Sequence, residues 1–87
     1  MNDTSPINVN AEANALLRAV QWLLRPLIRL LIAKGIGFPQ IRDLLKSIYV
    51  EVAAEDFALD EKRPSDSRVF VLTGVHRKDI KRLRAQS

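Results

Sequence analysis

Apolar residues recur at helical spacing along two long segments, and this feature constrains the fold more than any other. In residues 11–34 the apolar side chains share one broad helical face, and the arginines lie on the opposite face. The second segment follows the pattern i, i+3, i+4, i+7 and i+11 with Ile41, Leu44, Leu45, Ile48 and Val52. The chain has only three glycines, and β-branched runs are scarce. The sequence therefore predicts an all-α fold.

The first helix is expected to follow a short tail. Residues 1–10 are polar and contain Pro6, so they are predicted to be a disordered tail. The first helix then covers residues 11–34, with Gly35 and Gly37 as its stop signal. Pro26 lies inside this helix, removes one backbone donor and clashes with the preceding turn. The sequence therefore predicts a kink at Pro26, or a break into two helices.

Three further helices are expected in the rest of the chain. The second starts at Pro39, which suits a first helical position, and runs to about Phe57. The third is short, begins near Ser65 or Asp66 and ends at Gly74. The fourth runs from His76 to the chain end. We predict one compact four-helix domain over residues 11–87, in which the first helix packs across a C-terminal helix-turn-helix.

The basic residues are concentrated toward the carboxyl end of the chain. The net charge is +4, and eight of the fourteen Lys and Arg residues lie between Lys62 and Arg84. Six of the ten acidic residues lie between Glu51 and Asp66. Such clustering favours a polyanionic partner, with nucleic acid first and an anionic membrane second. A solvated basic surface is the alternative interpretation.

The segment DSRVFVLTGVHRKDIKRL, residues 66–83, has the spacing of a helix-turn-helix. Gly74 would allow the positive φ that a sharp turn between two helices requires. The apolar positions that should face inward are Val69 and Leu72 before the turn, Val75 in it, and Ile80 and Leu83 after it. The alternative is a plain helical hairpin with a solvated basic face.

The side chains left outside this motif are mostly basic. Arg77, Lys78 and Lys81 are predicted to contact the groove or the base edges, because the start of a recognition helix reaches the bases. His76 is predicted to cap the fourth helix or to contact a phosphate, with Asp79 as the reciprocal acid or as a partner of Arg82 or Arg77. The residues predicted to contact phosphates are Ser65, Ser67, Arg68, Arg82 and Arg84. The full set of predicted DNA-binding residues is Ser65, Ser67, Arg68, His76, Arg77, Lys78, Lys81, Arg82 and Arg84.

The run LTGVHRKDIKRL resembles the turn and recognition helix of bacterial helix-turn-helix regulators. Together with RPLIRLLIAKG, LLKSIYVEVA and DSRV, it resembles the N-terminal domain of an uncharacterised family of bacterial proteins with a helix-turn-helix-like region. The likeness covers residues 16–84. It implies the fold and a DNA-binding role, and it brings no catalytic residues and no ligand. Phe70 departs from the pattern, because such motifs usually carry a small residue there. Either the helices cross more widely or Phe70 turns aside.

The sequence offers little for catalysis. It has no cysteine, which excludes disulfides, thiolate zinc sites and a cysteine nucleophile. His76 is the only histidine, and Glu51, Glu55 and Asp56 lack the neighbours that a metal site needs. There is no GxSxG elbow, P-loop or dinucleotide fingerprint. We therefore expect no enzymatic activity, no cofactor and no metal.

The expected function is sequence-specific binding of double-stranded DNA by a cytoplasmic bacterial transcription regulator. No signal peptide is evident, and charges interrupt the longest apolar stretch, which argues against a membrane span. The alternative is a protein-interaction module that forms a homodimer through the apolar face of residues 16–31. Trp22, which lies near the arginine face of the first helix, is a separate candidate anchor for a partner. A membrane-surface role for the cationic, amphipathic first helix ranks third.

Overall fold

A computed structural model describes the backbone of residues 5–59 and 63–86, and the side chains of residues 10–59 and 63–86. These residues form an all-α fold, as the sequence predicts. The helices are α1 (Ser5–Ala33), α2 (Phe38–Asp56), α3 (Asp66–Thr73) and α4 (Arg77–Gln86). The chain divides into two compact units, Met1–Gly37 and Phe38–Ser87, which are described in turn.

The first unit consists of α1, which begins earlier than the sequence predicts. Residues 5–10 belong to the helix and not to a disordered tail, and residues 1–4 lie outside the described residues. Pro6 lies in the first turn, where its missing N–H has no helical acceptor to lose, so it does not prevent a helix. The polar composition of residues 1–10 therefore placed the predicted start of α1 too late in the chain.

α1 is continuous through Pro26, so the break into two helices predicted as one outcome does not occur. The helix ends at Ala33, and Gly35, in the turn that follows, has a φ of 78°. The amide of Ile36 donates to the carbonyl of Leu31 at 2.9 Å and closes the last turn. Among the described helices, α1 included, none combines the length and apolar character needed to cross a membrane.

The second unit is a bundle in which α2, α3 and α4 each pack against the other two. Its core contains Val50 and Ala53 of α2, Val69 of α3 and Ile80 of α4. Val69 and Ile80 are fully buried. Val75 and Leu83 pack against this cluster from the turn and from α4. Four of the five inward positions predicted around the turn are therefore confirmed.

Leu72 is the exception, because its side chain remains 40 % exposed. It lies at the edge of an open apolar groove of about 360 Å³ between α2 and α3. The residues that line this α2–α3 groove are Ile48, Tyr49, Val52, Ala53, Phe57, Leu72 and Thr73. On α2 the small side chains of Ala53 and Ala54 are buried, whereas most of the larger side chains of the predicted apolar pattern are exposed. These exposed residues are Leu44, Leu45, Ile48 and Val52. Small residues let helices approach closely, and apolar periodicity alone does not reveal this choice of face.

Candidate nucleic-acid interface

The start of α3 is fixed by a local cap. Ser65 has extended backbone angles, and its Oγ accepts a hydrogen bond from the amide of Arg68 at 3.2 Å. This geometry confirms Ser65 as the N-cap, the role that short polar side chains prefer at a helix start. One of the predicted phosphate ligands thus already has a structural function.

The turn after α3 depends on Gly74 and Thr73. Gly74 has a φ of 74°, and its amide donates to the carbonyl of Phe70 at 2.8 Å. The Oγ1 of Thr73 donates to the carbonyl of Val69 at 2.7 Å and accepts from the amide of Val75 at 3.1 Å. The left-handed glycine is as predicted, whereas sequence reasoning missed the bridging hydroxyl of Thr73. A threonine directly before a turn glycine was the available signal.

His76 caps α4, which begins at Arg77 and not at His76 itself. The Nδ1 atom of His76 accepts a hydrogen bond from the amide of Lys78 at 3.1 Å. The carbonyl of His76 accepts from the amide of Ile80 at 3.0 Å, which is the first helical bond of α4. The capping role predicted for His76 is therefore confirmed, and the ring uses Nδ1 as its acceptor.

Asp79 does not complete this cap, because its carboxylate pairs with two cations. Its Oδ2 lies 2.9 Å from Nζ of Lys46 on α2, and its Oδ1 lies 3.3 Å from Nη2 of Arg82. The hydrogen bond from Lys46, followed by that from Arg82, lowers the pKa of Asp79 below its usual value of 3.8. The pairing with Arg82 was predicted, but the one with Lys46 was missed.

Four exposed basic residues, Arg77, Lys78, Lys81 and Arg82, form what we call the α4 outer face. At 100° per residue they lie opposite Ile80 and Leu83, which contact the core. Within the described residues Arg77, Lys78 and Lys81 form no ion pair, and Arg82 pairs only with Asp79. The sequence predicts that five basic residues face outward, these four and Arg84. The prediction is confirmed for the four and is wrong for Arg84, whose side chain is half-buried.

The other predicted site residues lie apart from this face or are already engaged. Arg84 is only 19 % exposed, and its Nη1 donates to the carbonyl of Pro64 at 2.8 Å and to Oδ1 of Asp66 at 3.0 Å. It joins the last turn of α4 to the start of α3. Ser67 is exposed, and Arg68 is half-buried. The burial of Arg84 weakens its candidacy as a phosphate ligand.

Phe70 turns aside from the apolar core that α3 and α4 share, the second of the two outcomes expected for this residue. Its side chain is 38 % exposed and lies outside the core cluster. The guanidinium carbon of Arg77 lies over the Phe70 ring, 5.5 Å from its centroid. A large residue is therefore tolerated at a position where helix-turn-helix motifs usually carry a small one.

The acidic side chains of α2 are not grouped with other metal-ligand residues among those that the structure describes. Glu51 and Glu55 line an open surface pocket that they share with Arg63 and Arg84. Nowhere in the described part of the chain do three or more His, Asp or Glu side chains come together as metal ligands would. No described cluster therefore suggests where a metal ion would bind.

The DUF6502 family, a family of unknown function, matches residues 13–87. The match covers most of the chain, including the turn and the α4 outer face. It confirms the resemblance to an uncharacterised family, while the helix-turn-helix assignment stays a prediction. No curated protein and no solved structure matches the chain.

Proposed function

We propose that the chain, which belongs to the DUF6502 family, binds double-stranded DNA through the α4 outer face. In this proposal α3 and α4 act as a helix-turn-helix, and α4 is the recognition helix that enters the major groove. The role that follows is sequence-specific binding in the regulation of transcription. The observation that carries the proposal is the α4 outer face, which is exposed and bears only positive charges. It directly follows the left-handed turn at Gly74.

The geometry of the turn supports this proposal. Residues 74–76 join α3 to α4, and the two helices pack against each other through Val69 and Ile80, which are both fully buried. Val75 packs inward from the turn. A helix-turn-helix needs such apolar contacts to fix the angle of its recognition helix against its supporting helix.

The size of α4 also supports the proposal. Its ten residues correspond to a rod about 15 Å long, and the major groove of B-DNA is about 12 Å wide and accepts a helix. Ala85 follows Lys81 on the same side of the helix, so no bulky side chain there would hinder close approach. Arg77, at the start of the helix, would lie deepest in the groove.

The electrostatics of α4 agree with a phosphate partner. The one acidic residue of α4, Asp79, is neutralised by Lys46 and Arg82. The α4 outer face thus presents positive charge without an unpaired carboxylate. Lysine and arginine on such a face release counterions from DNA, which supplies most of the non-specific affinity.

The remaining predicted contacts have different roles in this proposal. Ser67 and Arg68, near the start of α3, would contact the phosphate backbone beside the groove. Ser65 and His76 act mainly as helix caps, and Arg84 mainly holds α4 to α3. Phosphate contacts position a protein on DNA without reading the base sequence. These residues would therefore fix the position of the protein along the duplex and would not contribute to sequence specificity.

Fluorescence anisotropy with a labelled random-sequence duplex tests the proposal. Affinity should fall log-linearly with salt, with a slope of about −0.9 for each phosphate neutralised, or about −3.6 for four contacts. An unrelated acidic polymer, polyglutamate, serves as the control for simple charge attraction. No binding at low salt, or equal affinity for polyglutamate, contradicts the proposal.

Homodimerisation is a second candidate function, favoured by the exposed apolar side chains of α1. Leu16, Leu23, Leu27 and Leu30 share one side of this helix and are all exposed. Two-fold dimers suit DNA readers, because they place two recognition helices on successive half-sites. Sedimentation equilibrium should then show a dimer that Leu23→Glu dissociates. A strict monomer at high concentration contradicts this candidate.

A further inference from the structure

The contact between Phe70 and Arg77 joins the last turn of α3 to the first residue of α4. The guanidinium carbon of Arg77 lies 5.5 Å from the centre of the Phe70 ring, which is close enough for a cation–π interaction. Arg77 is exposed, and among the described residues it has no carboxylate partner. In this respect it differs from Arg82 and Arg84, which both pair with aspartates.

We propose that Phe70 is a positioning residue that holds the Arg77 guanidinium for bidentate recognition of a guanine in the major groove. The inference rests on the proposed DNA-binding function and names a specific base as the target of Arg77. It also gives a function to Phe70, which departs from the small residue usual at this position of a helix-turn-helix.

The chemistry of a stacked guanidinium supports this role. Contact with an aromatic face engages the flat side of the guanidinium, while its N–H donors point outward in the plane. An aspartate partner would instead occupy two of those donors. Guanine presents two acceptors, O6 and N7, on its major-groove edge, and a planar fork of donors matches them. Phe70 therefore restrains Arg77 without consuming the donors needed for base recognition.

The restraint also reduces the entropic cost of binding. An exposed arginine samples many rotamers, and fixing them on binding lowers affinity by a few-fold to about tenfold. A side chain already held over Phe70 has lost part of this freedom before DNA arrives. Removing the ring should therefore weaken recognition of one base pair and leave contacts to phosphates unchanged.

Selection of bound duplexes from a random pool tests the inference. The wild-type chain should enrich at least one guanine, and Phe70→Leu should reduce the preference for that guanine about fivefold. Phe70→Tyr retains the aromatic face and should restore the preference. Arg77→Lys retains the charge but loses the planar fork, so it should abolish the preference with little change in the salt slope.

The outcomes separate this inference from the proposed function. If the wild-type chain binds no duplex, both fail. If it binds duplexes and Phe70→Leu keeps the full guanine preference, only the role of Phe70 fails. Loss of the preference in Phe70→Tyr would also overturn it, because the ring face is then not what positions Arg77. Thermal unfolding of each variant, with midpoints near the wild type, shows that the fold is retained.

Discussion

The ammonium group of Lys46 lies 2.9 Å from Oδ2 of Asp79, and this ion pair joins α2 to α4. Arg82 binds the other carboxylate oxygen at 3.3 Å. The pair thus connects two of the helices of the second unit and neutralises the only acidic residue of α4. A contact that joins two helices therefore also keeps the α4 outer face positive.

The ion pair predicts a specific dependence of stability on pH. The pKa of Asp79 is lowered in the folded protein, mainly by Lys46, relative to 3.8 in the unfolded chain. Stability from this group is therefore present above pH 3.8 and is lost as the pH falls through the lower folded pKa. Urea unfolding should show a wild-type advantage over Asp79→Asn at pH 7 that disappears on acidification. Lys46→Gln should also reduce this advantage, and an undiminished gap at low pH contradicts the pairing.

The buried contact between α3 and α4 predicts unequal effects of two valine substitutions on one helix. Val69 is fully buried, whereas Val71 is 77 % exposed. Val69→Ala should lower the free energy of unfolding by about 2 kcal/mol, because two buried methyl groups are lost and a cavity remains. Val71→Ala should change it by less than about 0.5 kcal/mol. Similar losses in chemical denaturation would show that α3 packs through another face.

The left-handed conformation of Gly74 predicts a backbone effect at the turn. A Cβ at Gly74 would meet no atom within 4 Å, so any cost of substitution arises from the φ of 74° alone. Gly74→Ala should destabilise the protein by about 1–2 kcal/mol. Gly74→Asn should cost less, because asparagine tolerates this conformation better. Equal thermal stability of the alanine variant and the wild type would contradict the turn geometry.

The cap at the start of α3 predicts a difference between two neighbouring serines. The Oγ of Ser65 accepts a backbone hydrogen bond, whereas Ser67 is exposed in the first turn of the helix. Ser65→Ala should reduce the free energy of unfolding by about 1 kcal/mol, and Ser67→Ala should have almost no effect on it. Denaturation curves in which Ser67→Ala loses more stability than Ser65→Ala would contradict the assignment of Ser65 as the cap.

Local signals predicted most of the segment around the turn. Ser65, Gly74 and His76 each act on backbone groups within a few residues, so their roles could be inferred from sequence spacing. The Lys46–Asp79 pair spans 33 positions and depends on how α2 packs, which periodicity does not encode. The choice of Ala53 and Ala54 for the core face of α2 was missed for the same reason.

The candidate interface was predictable to a similar degree. The outward positions of Arg77, Lys78 and Lys81 followed from Ile80 and Leu83, two apolar residues about one helical turn apart that define the opposite side of α4. The engagement of Arg84 with Asp66 and the stacking of Arg77 on Phe70 depend on the crossing of α3 and α4. Sequence spacing defines the faces of one helix but not the contacts between two helices.

The most direct test of DNA binding compares two double variants that each remove two positive charges. Arg77→Ala/Lys81→Ala changes the α4 outer face, and Arg25→Ala/Arg29→Ala changes exposed arginines of α1. Anisotropy with a random-sequence duplex should show at least about tenfold weaker binding for the first variant only, with a salt slope smaller by about 0.9 for each phosphate contact that is lost. Unchanged binding by that variant, or an equal loss in both, would contradict recognition through α4.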